Sequence, residues 1–446
     1  MDILGFLPDF GGVAFTVVAF IVALSVIVAV HEYGHYIVGR WSGIYAEVFS
    51  VGFGPVLWSR KDKRGTVWQI AALPFGGYVK FLGDASAASD RADPEVMAHL
   101  SEDLHRHTMH GAPLWARAAT VAAGPVFNFI LSIIVFSGII LSQGVASDPL
   151  TVAEIRSLPA EEQGLQPGDA ILAIQGSVAP SVEEFAGFID RLPLEPNLSY
   201  TVERDGQQIE VFAPYPQPPL VGGVTPSSAA MAADLAVGDV ITAVDGTEIF
   251  AFDQLRGLVE ASDGNSMTLD VWRDGQTLPV TLTPRRMDLP LAEGGFETRW
   301  LIGITGNLMF DPQTVTPGLG EAMASGVEQV IFIVRSSISG LYHMAAGAIS
   351  TCNLQGPIGI AETSGAAASQ GAVSFIWFIA VLSTAVGLLN LFPIPVLDGG
   401  HLVFHAYEAV SGRPPNERAL RVFMGVGLAL LLGLMAFALG NDILCP

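Results

Sequence analysis

From Val13 to Val30 the chain carries no charge, and this apolar run leads straight into His31-Glu32-Tyr33-Gly34-His35. A run of that length can cross a bilayer as a helix, so the pentapeptide sits at the end of a membrane span. Two histidines four residues apart on a helix project from one face, about one turn apart. That spacing suits a single tetrahedral zinc ion, with the intervening Glu beside it as general base. Ionisable groups at membrane depth are costly and are retained where function requires them. Taken alone, the stretch leaves two readings open: a metal centre, or the polar end of an interfacial helix. A third ligand elsewhere in the chain decides between them.

Composition agrees with a membrane protein carrying water-soluble insertions. The 446 residues are only 14% charged, and the mean hydropathy is +0.48. That is too apolar for an ordinary soluble enzyme, and the length exceeds a single domain. With 43 acidic against 21 basic residues the net charge is −22; together with the lack of a basic patch, this argues against any nucleic-acid partner. Cys352 and Cys445 lie far apart in sequence and fit neither a disulfide framework nor a metal spacing, so they read as isolated thiols. Acidic Asp2 and Asp9 stand where a secretion signal would be basic, and the apolar run is long for such a signal. The N-terminal segment reads as a retained first span.

Gly43 to Gly83 is rich in glycine and aromatic residues. Val48–Trp58 and Thr66–Leu73 have strand-like content on either side of the charged turn Lys61-Asp62-Lys63-Arg64-Gly65. Gly52-Phe53-Gly54 and Gly76-Gly77 read as tight turns or close backbone approaches. Directly after a metal motif, such a hairpin could offer an edge strand to an extended peptide; a packing hairpin fits the pattern equally well. Residues 85–111 read as a solvated polar loop, since His99, His105, His107 and His110 have no carboxylate or Cys at a recognised metal spacing. A second apolar segment, Ala116 to Ser142, is interrupted by Gly124-Pro125 and Asn128. Its small residues permit close helix approach, and the Asn reads either as a packing group or as a catalytic one.

Residues 146–288 change to a soluble character and contain an internal repeat. Leu165-Gln166-Pro167-Gly168-Asp169-Ala170-Ile171 returns as Leu235-Ala236-Val237-Gly238-Asp239-Val240-Ile241. Val202-Glu203-Arg204-Asp205-Gly206-Gln207 returns as Val271-Trp272-Arg273-Asp274-Gly275-Gln276. The offset is 70 in the first block and 69 in the second, so two tandem modules are expected, each with strands around a helical stretch (Val182–Leu192 and Phe252–Ala261). The L-x-x-G-D-x-I…G signature resembles PDZ domains, which bind extended peptides or chain termini at a sheet edge. A steric gate is the other use open to such modules.

Residues 289–313 lead back towards the membrane, and Pro317 to Ile349 reads as a mostly helical segment suited to a membrane surface. Gly356-Pro357-Ile358-Gly359-Ile360 precedes a third apolar segment, Val373 to Leu391. That segment ends in Asn390-Leu391-Phe392-Pro393-Ile394-Pro395-Val396-Leu397-Asp398-Gly399-Gly400-His401, whose prolines and glycines require irregular backbone at membrane depth. Such backbone persists only when buried in protein or lining a cavity. Asp398 supplies there the carboxylate oxygen that a two-histidine zinc site lacks. It is the third ligand sought. A final span covers Leu420 to Leu439. Four spans put both termini on one side. Arg40, Arg60, Lys61, Lys63, Arg64, Lys80, Arg91, Arg106 and Arg117 fall between the first two spans, and Arg413, Arg418 and Arg421 before the last. By the positive-inside rule both loops are cytoplasmic, which brings the HEYGH end of the first span and Asp398 to the same depth.

In this order, HEYGH, GFG…PFGGYVK, AGPVFN, GPIGI and NLFPIPVLDGGH resemble the site-2 protease family of intramembrane zinc metalloproteases. Two tandem PDZ modules between the second and third spans resemble its RseP-type, Gram-negative branch. The resemblance covers nearly the whole chain and no chemistry-bearing residue departs from it, although it assigns no role to the His-rich loop. It implies a multi-pass α-helical membrane protein with four transmembrane helices, a membrane-associated β-hairpin and two inserted tandem PDZ domains. The divisions expected are 1–42 for the first span, 43–112 for the hairpin and polar loop, and 113–145 for the second span. Then follow 146–217 and 218–288 for the PDZ domains, and 289–372 for a periplasmic linker with an amphipathic helical segment. The third span takes 373–410 and the fourth 411–446. One zinc per chain would be held by His31, His35 and Asp398, and Glu32 would take a proton from water and pass it to the leaving amine. Asn390, Pro393 and Pro395, with Gly76 and Gly77 of the hairpin, would bind substrate.

The substrates implied are single-pass membrane proteins already cut on the periplasmic side, of the anti-sigma-factor type, and signal-peptide remnants, with the PDZ pair excluding untrimmed ones by size. The enzyme is expected in the bacterial inner membrane as a monomer, with the PDZ domains and both termini periplasmic and the active site towards the cytoplasm. Two other readings fail on residues. A PDZ scaffold or pseudoprotease would lack part of the catalytic set, and none is missing. An ATP-driven membrane protease acting on soluble substrates needs a P-loop, and the chain has none.

Overall fold

The computed structural model describes residues 12–85, 92–159, 163–225, 228–291 and 295–445. Asp2, Asp9 and Arg91 lie outside them. The chain forms two units: one runs to Gly138 and takes in Ala322–Tyr342 and everything from Thr351, and the other holds Ile139–Glu321 and His343–Ser350. The major helices are α1 (Val13–Trp41), α2 (Leu114–Gln143), α3 (Leu319–Ala345), α4 (Pro357–Ser369), α5 (Ala372–Asn390), α6 (Asp398–Ser411) and α7 (Glu417–Leu444). Four of them, α1, α2, α5 and α7, are long and apolar enough to cross a membrane. The surface of α7 exposes Val422, Phe423, Leu430 and Leu432, as a helix facing hydrocarbon must.

Without water to drive apolar surfaces together, membrane helices associate through close packing and cross-helix hydrogen bonds, and the first unit uses both. A Cβ on Gly34 of α1 would stand 2.5 Å from the Ala123 carbonyl oxygen of α2, and one on Gly387 of α5 3.2 Å from the Cβ of Asn128. Ser132 Oγ donates to the Ala380 carbonyl at 2.7 Å, and Ser383 Oγ to the Asn128 carbonyl at 3.0 Å. The two helices are therefore bonded in both directions. In α3, Ala322, Gly326 and Val330 are buried, with Gly326 against Ser137 of α2.

After α1 come two long bent strands, β1 (Ala46–Lys61) and β2 (Val67–Phe81). Val48 to Val51 faces Lys80 to Gly77 on one side and Val67 to Ile70 on the other, while Val56 to Lys61 faces Ala71 to Val67. Two strands thus supply four sheet segments. Asp62 closes the intervening turn by accepting from the Arg64 and Thr66 backbone amides at 2.8 and 3.0 Å. Gly76 and Gly77 lie inside the continuing strand β2, and of the two readings the close backbone approach holds, since a Cβ on Gly77 would stand 2.6 Å from the Ser50 carbonyl oxygen. The strand's bend needs glycine, because Gly76 has φ +119° and a Cβ would meet the Phe53 ring at 2.5 Å. Phe53, Val56, Leu57, Trp58, Ile70 and Leu73 are exposed apolar side chains on this sheet, which suits contact with lipid. The His-rich loop is tied down as well. His107 Nδ1 lies 2.5 Å from the Gly43 carbonyl and its ring stacks on Tyr45 at 4.3 Å, while His110 approaches Asp84 at 3.4 Å.

Cys352 and Cys445 are not isolated thiols. They form a disulfide with a Cα separation of 5.7 Å, joining the end of α7 to the segment before α4. Their sequence separation of 93 hid the pairing, which follows from α7 running back to α4. The same contact is reinforced by Asp442, which accepts from the backbone amides of Gly356, Ile358 and Gly359, an anion at a helix N-terminus.

In the second unit the repeat becomes two sheets of the same order. In the first, Ser177–Val178, Ala170–Ile174, Asn197–Arg204 and Gln207–Pro214 lie side by side; in the second, Thr247–Glu248, Val240–Val244, Met267–Arg273 and Gln276–Leu282. The repeated residues carry one ion pair in each copy. Arg204 binds Asp169 at 2.7 Å and Arg273 binds Asp239 at 2.6 Å, with the Asp also accepting from the Gln166 or Ala236 amide at 2.8 Å. Residues 289–315 do not form the linker expected. They make a hairpin, Arg285–Pro290 with Phe296–Leu301, and then Ile304–Gly306 pairs with Val221–Val224, Phe310–Pro312 with Val152–Ile155 and Thr314–Val315 with Val145–Ala146. Strands of two or three residues leave no periodic trace in a sequence. Phe310 and Met309 complete the core around Ile171, Leu198 and Tyr200.

The Asp169 side chain is fully buried. Burial pushes its carboxyl up, but the hydrogen bonds and charge of Arg204 and the Gln166 amide outweigh it and hold the group below the ordinary carboxylate range. A carboxyl depressed in the folded state stabilises above the unfolded value, near pH 4, and loses that contribution as pH falls through the folded value. Asp169→Asn is therefore expected to cost roughly 1–3 kcal/mol at pH 7. In pH-dependent thermal unfolding, the gap between the variant and wild-type curves should begin to narrow at about pH 4 and close only as pH falls through the lower, folded-state value.

Candidate active site

The site is built where α1, α2 and the start of α6 meet. His31 and His35 sit one turn apart on α1, and Asp398 opens α6 after the irregular segment 391–397. That segment folds back over the first turn of α6, and Cβ atoms on Gly399 and Gly400 would strike the carbonyls of Leu391 and Ile394. The tight fold is what carries the carboxylate to the histidines. His31 Nε2 is 3.2 Å from His35 Nε2, and Asp398 Oδ2 is 3.1 Å from the first and 3.5 Å from the second. The three side chains are only 12 to 17% exposed.

This triangle fits a metal ion. Ligand atoms held tetrahedrally at about 2.0–2.1 Å from zinc stand about 3.3 Å apart, and Asp398 Oδ2 is a buried oxygen with no hydrogen-bond donor. Among the described residues, this is the group of three His, Cys, Asp or Glu whose donor atoms converge within 4.8 Å of one another. Two nitrogens and one oxygen leave a fourth position open, the pattern of a catalytic rather than a structural zinc site.

The histidines are supported from α2. His35 Nδ1 lies 2.8 Å from the Thr120 carbonyl, which can only accept, so Nδ1 carries the proton and Nε2 offers its lone pair. Pro125 has no amide to give the Val121 carbonyl, which loosens the helix at this turn. A Cβ on Gly124 would overlap the His35 ring and come within 2.8 Å of His31 Cε1. Asn128, fully buried, places Nδ2 3.2 Å from His31 Nδ1. The Glu32 carboxylate accepts from the Val79 backbone amide of β2, and Gly77 gives it room, since a Cβ there would be 3.2 Å from Glu32 Cγ.

A cavity of about 540 Å³ opens onto this group. Tyr78 and Val79 of β2 line it, as do Asn390, Val396 and Leu397, and an Arg117–Glu408 ion pair of 2.6 Å lies further along. Of the residues picked out from sequence, His31, Glu32, His35, Asp398, Asn390 and Gly77 border the cavity. Pro393, Pro395 and Gly76 do not: Pro395 packs on Gly427 of α7, and Gly76 on Phe53. Sequence reasoning did not find the parts played by Thr120 and Gly124, because a backbone carbonyl has no side-chain signal and a glycine reads only as a small residue.

An open two-histidine, one-carboxylate set with a glutamate beside it, carried by membrane-length helices, defines a membrane metallohydrolase. The chain belongs to peptidase family M50, whose model matches residues 19–434. It is 35% identical to a protein named as a zinc metalloprotease from Agrobacterium fabrum over 96% of this chain and 95% of that protein. It is 33% identical to the regulator of sigma-E protease RseP of Escherichia coli over 95% of this chain and 97% of that protein. The chain is thus a zinc metalloprotease embedded in a membrane. Gly124→Ala is expected to push both imidazoles off the triangle and lower peptidase activity at least tenfold, whereas Gly138→Ala, where a Cβ meets nothing within 4 Å, leaves it unchanged. Cleavage of a membrane reporter by the purified variants checks this.

Proposed function

We propose that the chain is a site-2 intramembrane endopeptidase that cuts within the transmembrane segments of single-pass proteins after a first cut outside the membrane. His31, His35 and Asp398 would hold one zinc ion. The observation that carries this reading is the convergence of those three donor atoms to 3.1–3.5 Å beside Glu32. Zinc, when bound there, polarises the scissile carbonyl and acidifies a coordinated water. Glu32, fixed by the Val79 amide, takes the proton of the attacking water and delivers it to the leaving nitrogen.

A helical substrate hides its peptide bonds in its own hydrogen bonds, so it must unwind to be cut. Among the described residues, segment 77–81 of β2 pairs along one side with Ala46–Val51, and Tyr78 and Val79 line the cavity. An extended substrate laid along β2 would be held by its backbone, with Asn390 also lining the cavity. The two modules act as PDZ domains, supported by their matching strand order and by the repeated motif. They admit only substrates already trimmed. Anti-sigma factors and signal-peptide remnants are the substrate class, the one implied by the resemblance of the sequence motifs to site-2 proteases. The enzyme lies in the inner membrane with its modules and termini in the periplasm. The Cys352–Cys445 disulfide at the end of α7 supports this orientation, because disulfides persist on the oxidising side.

Glu32→Gln keeps the shape of the site and removes the base. Cleavage of a single-pass membrane reporter should fall by roughly 10²–10⁴-fold, with zinc content unchanged. Turnover at the wild-type rate would contradict the mechanism.

A further inference from the structure

Asn128 has a role that its sequence context left open between packing and chemistry. It lies on α2 with no exposed surface, and its backbone is fixed from two sides. Ser383 Oγ donates to its carbonyl at 3.0 Å, Ser132 Oγ, whose proton is shared with the Ala380 carbonyl, lies 3.0 Å from the same oxygen, and Gly387 of α5 leaves room for its Cβ. The side chain is therefore aimed, and it points at His31 Nδ1, 3.2 Å from Nδ2, while Oδ1 is buried without a partner. The other histidine of the pair has its Nδ1 proton taken by the Thr120 carbonyl. For His31, Asn128 occupies the corresponding place.

A neutral imidazole holds a metal through the nitrogen without the proton, so His31 can offer Nε2 to the triangle only if Nδ1–H has an acceptor. With Nδ2 towards it, Nδ1 would instead accept, and the proton would sit on Nε2, facing Asp398 Oδ2 at 3.1 Å. Turning the amide by half a revolution exchanges its nitrogen and oxygen without moving its outline. Oδ1 then accepts from Nδ1–H, and the Nε2 lone pair faces the triangle. We infer that Asn128 is a positioning residue that sets the tautomer of His31 by presenting Oδ1 to Nδ1–H, and so tunes the metal affinity of the site. The inference rests on the zinc centre proposed above.

The test is zinc affinity of the detergent-solubilised full-length chain, measured by competition with a chromophoric chelator. Asn128→Leu keeps the volume but removes the acceptor and should weaken zinc binding about 10–100-fold. Asn128→Asp keeps an oxygen at the same place and should stay within about threefold of wild type. A packing role makes the opposite forecast, since an apolar Leu suits a buried helix contact and a carboxylate does not. Zinc affinity within threefold of wild type for Asn128→Leu overturns the proposal, as does a loss in Asn128→Asp equal to that in Asn128→Leu. Should Asn128→Leu fail to fold, Asn128→Asp against wild type still decides, because an Asn that served through its NH2 group would lose affinity there. Asp398→Ala separates the two levels of the argument. Zinc retained in that variant overturns the metal centre itself, whereas zinc lost there and kept in Asn128→Leu overturns only the role of Asn128.

Discussion

Three lone pairs aimed at one point inside a protein repel one another unless a cation sits between them, and the first unit is arranged around that point. His31 Nε2, His35 Nε2 and Asp398 Oδ2 come within 3.5 Å of each other at membrane depth, where polar groups without partners are expensive. Holding them there takes three separate elements. Helix α1 gives the two imidazoles their one-turn spacing, α2 supports them from behind, and the broken stretch between α5 and α6 delivers the carboxylate. The irregular backbone at residues 391–397 is tolerated because it lines the cavity of the site.

Glycine makes this convergence sterically feasible. Gly34 lets α2 close on α1, Gly124 makes room for the imidazoles, and Gly400 lets the loop fold back onto α6. Each would place a Cβ at or inside van der Waals contact with a neighbour. The serines of α2 and α5 then lock the geometry by bonding across to each other's helix. A catalytic group on mobile elements would lose its alignment; here the alignment is a by-product of how closely the helices approach.

Much of this was legible in the chain. The uncharged run marked α1, i,i+4 spacing marked the histidines, and the proline–glycine stretch before Asp398 marked irregular backbone at the end of the third span. The repeat at 70 residues marked two modules, whereas the Asp–Arg pair in each copy appears only once the strands are placed. What escaped was non-local. The disulfide joins residues 93 apart, and the short strands at 304–315 pair with segments far upstream. Thr120 acts through its carbonyl and Asn128 through an amide whose target lies 97 residues away. Pairings of this kind are set by tertiary approach, which no local pattern encodes.

The central claim is that the HEYGH helix and Asp398 form one open zinc site. X-ray absorption at the zinc edge of the full-length chain tests it most directly. The expected spectrum has two imidazole nitrogens and oxygen donors at about 2.0–2.1 Å and no sulfur. A sulfur shell at about 2.3 Å, or a spectrum with a single imidazole, would contradict it.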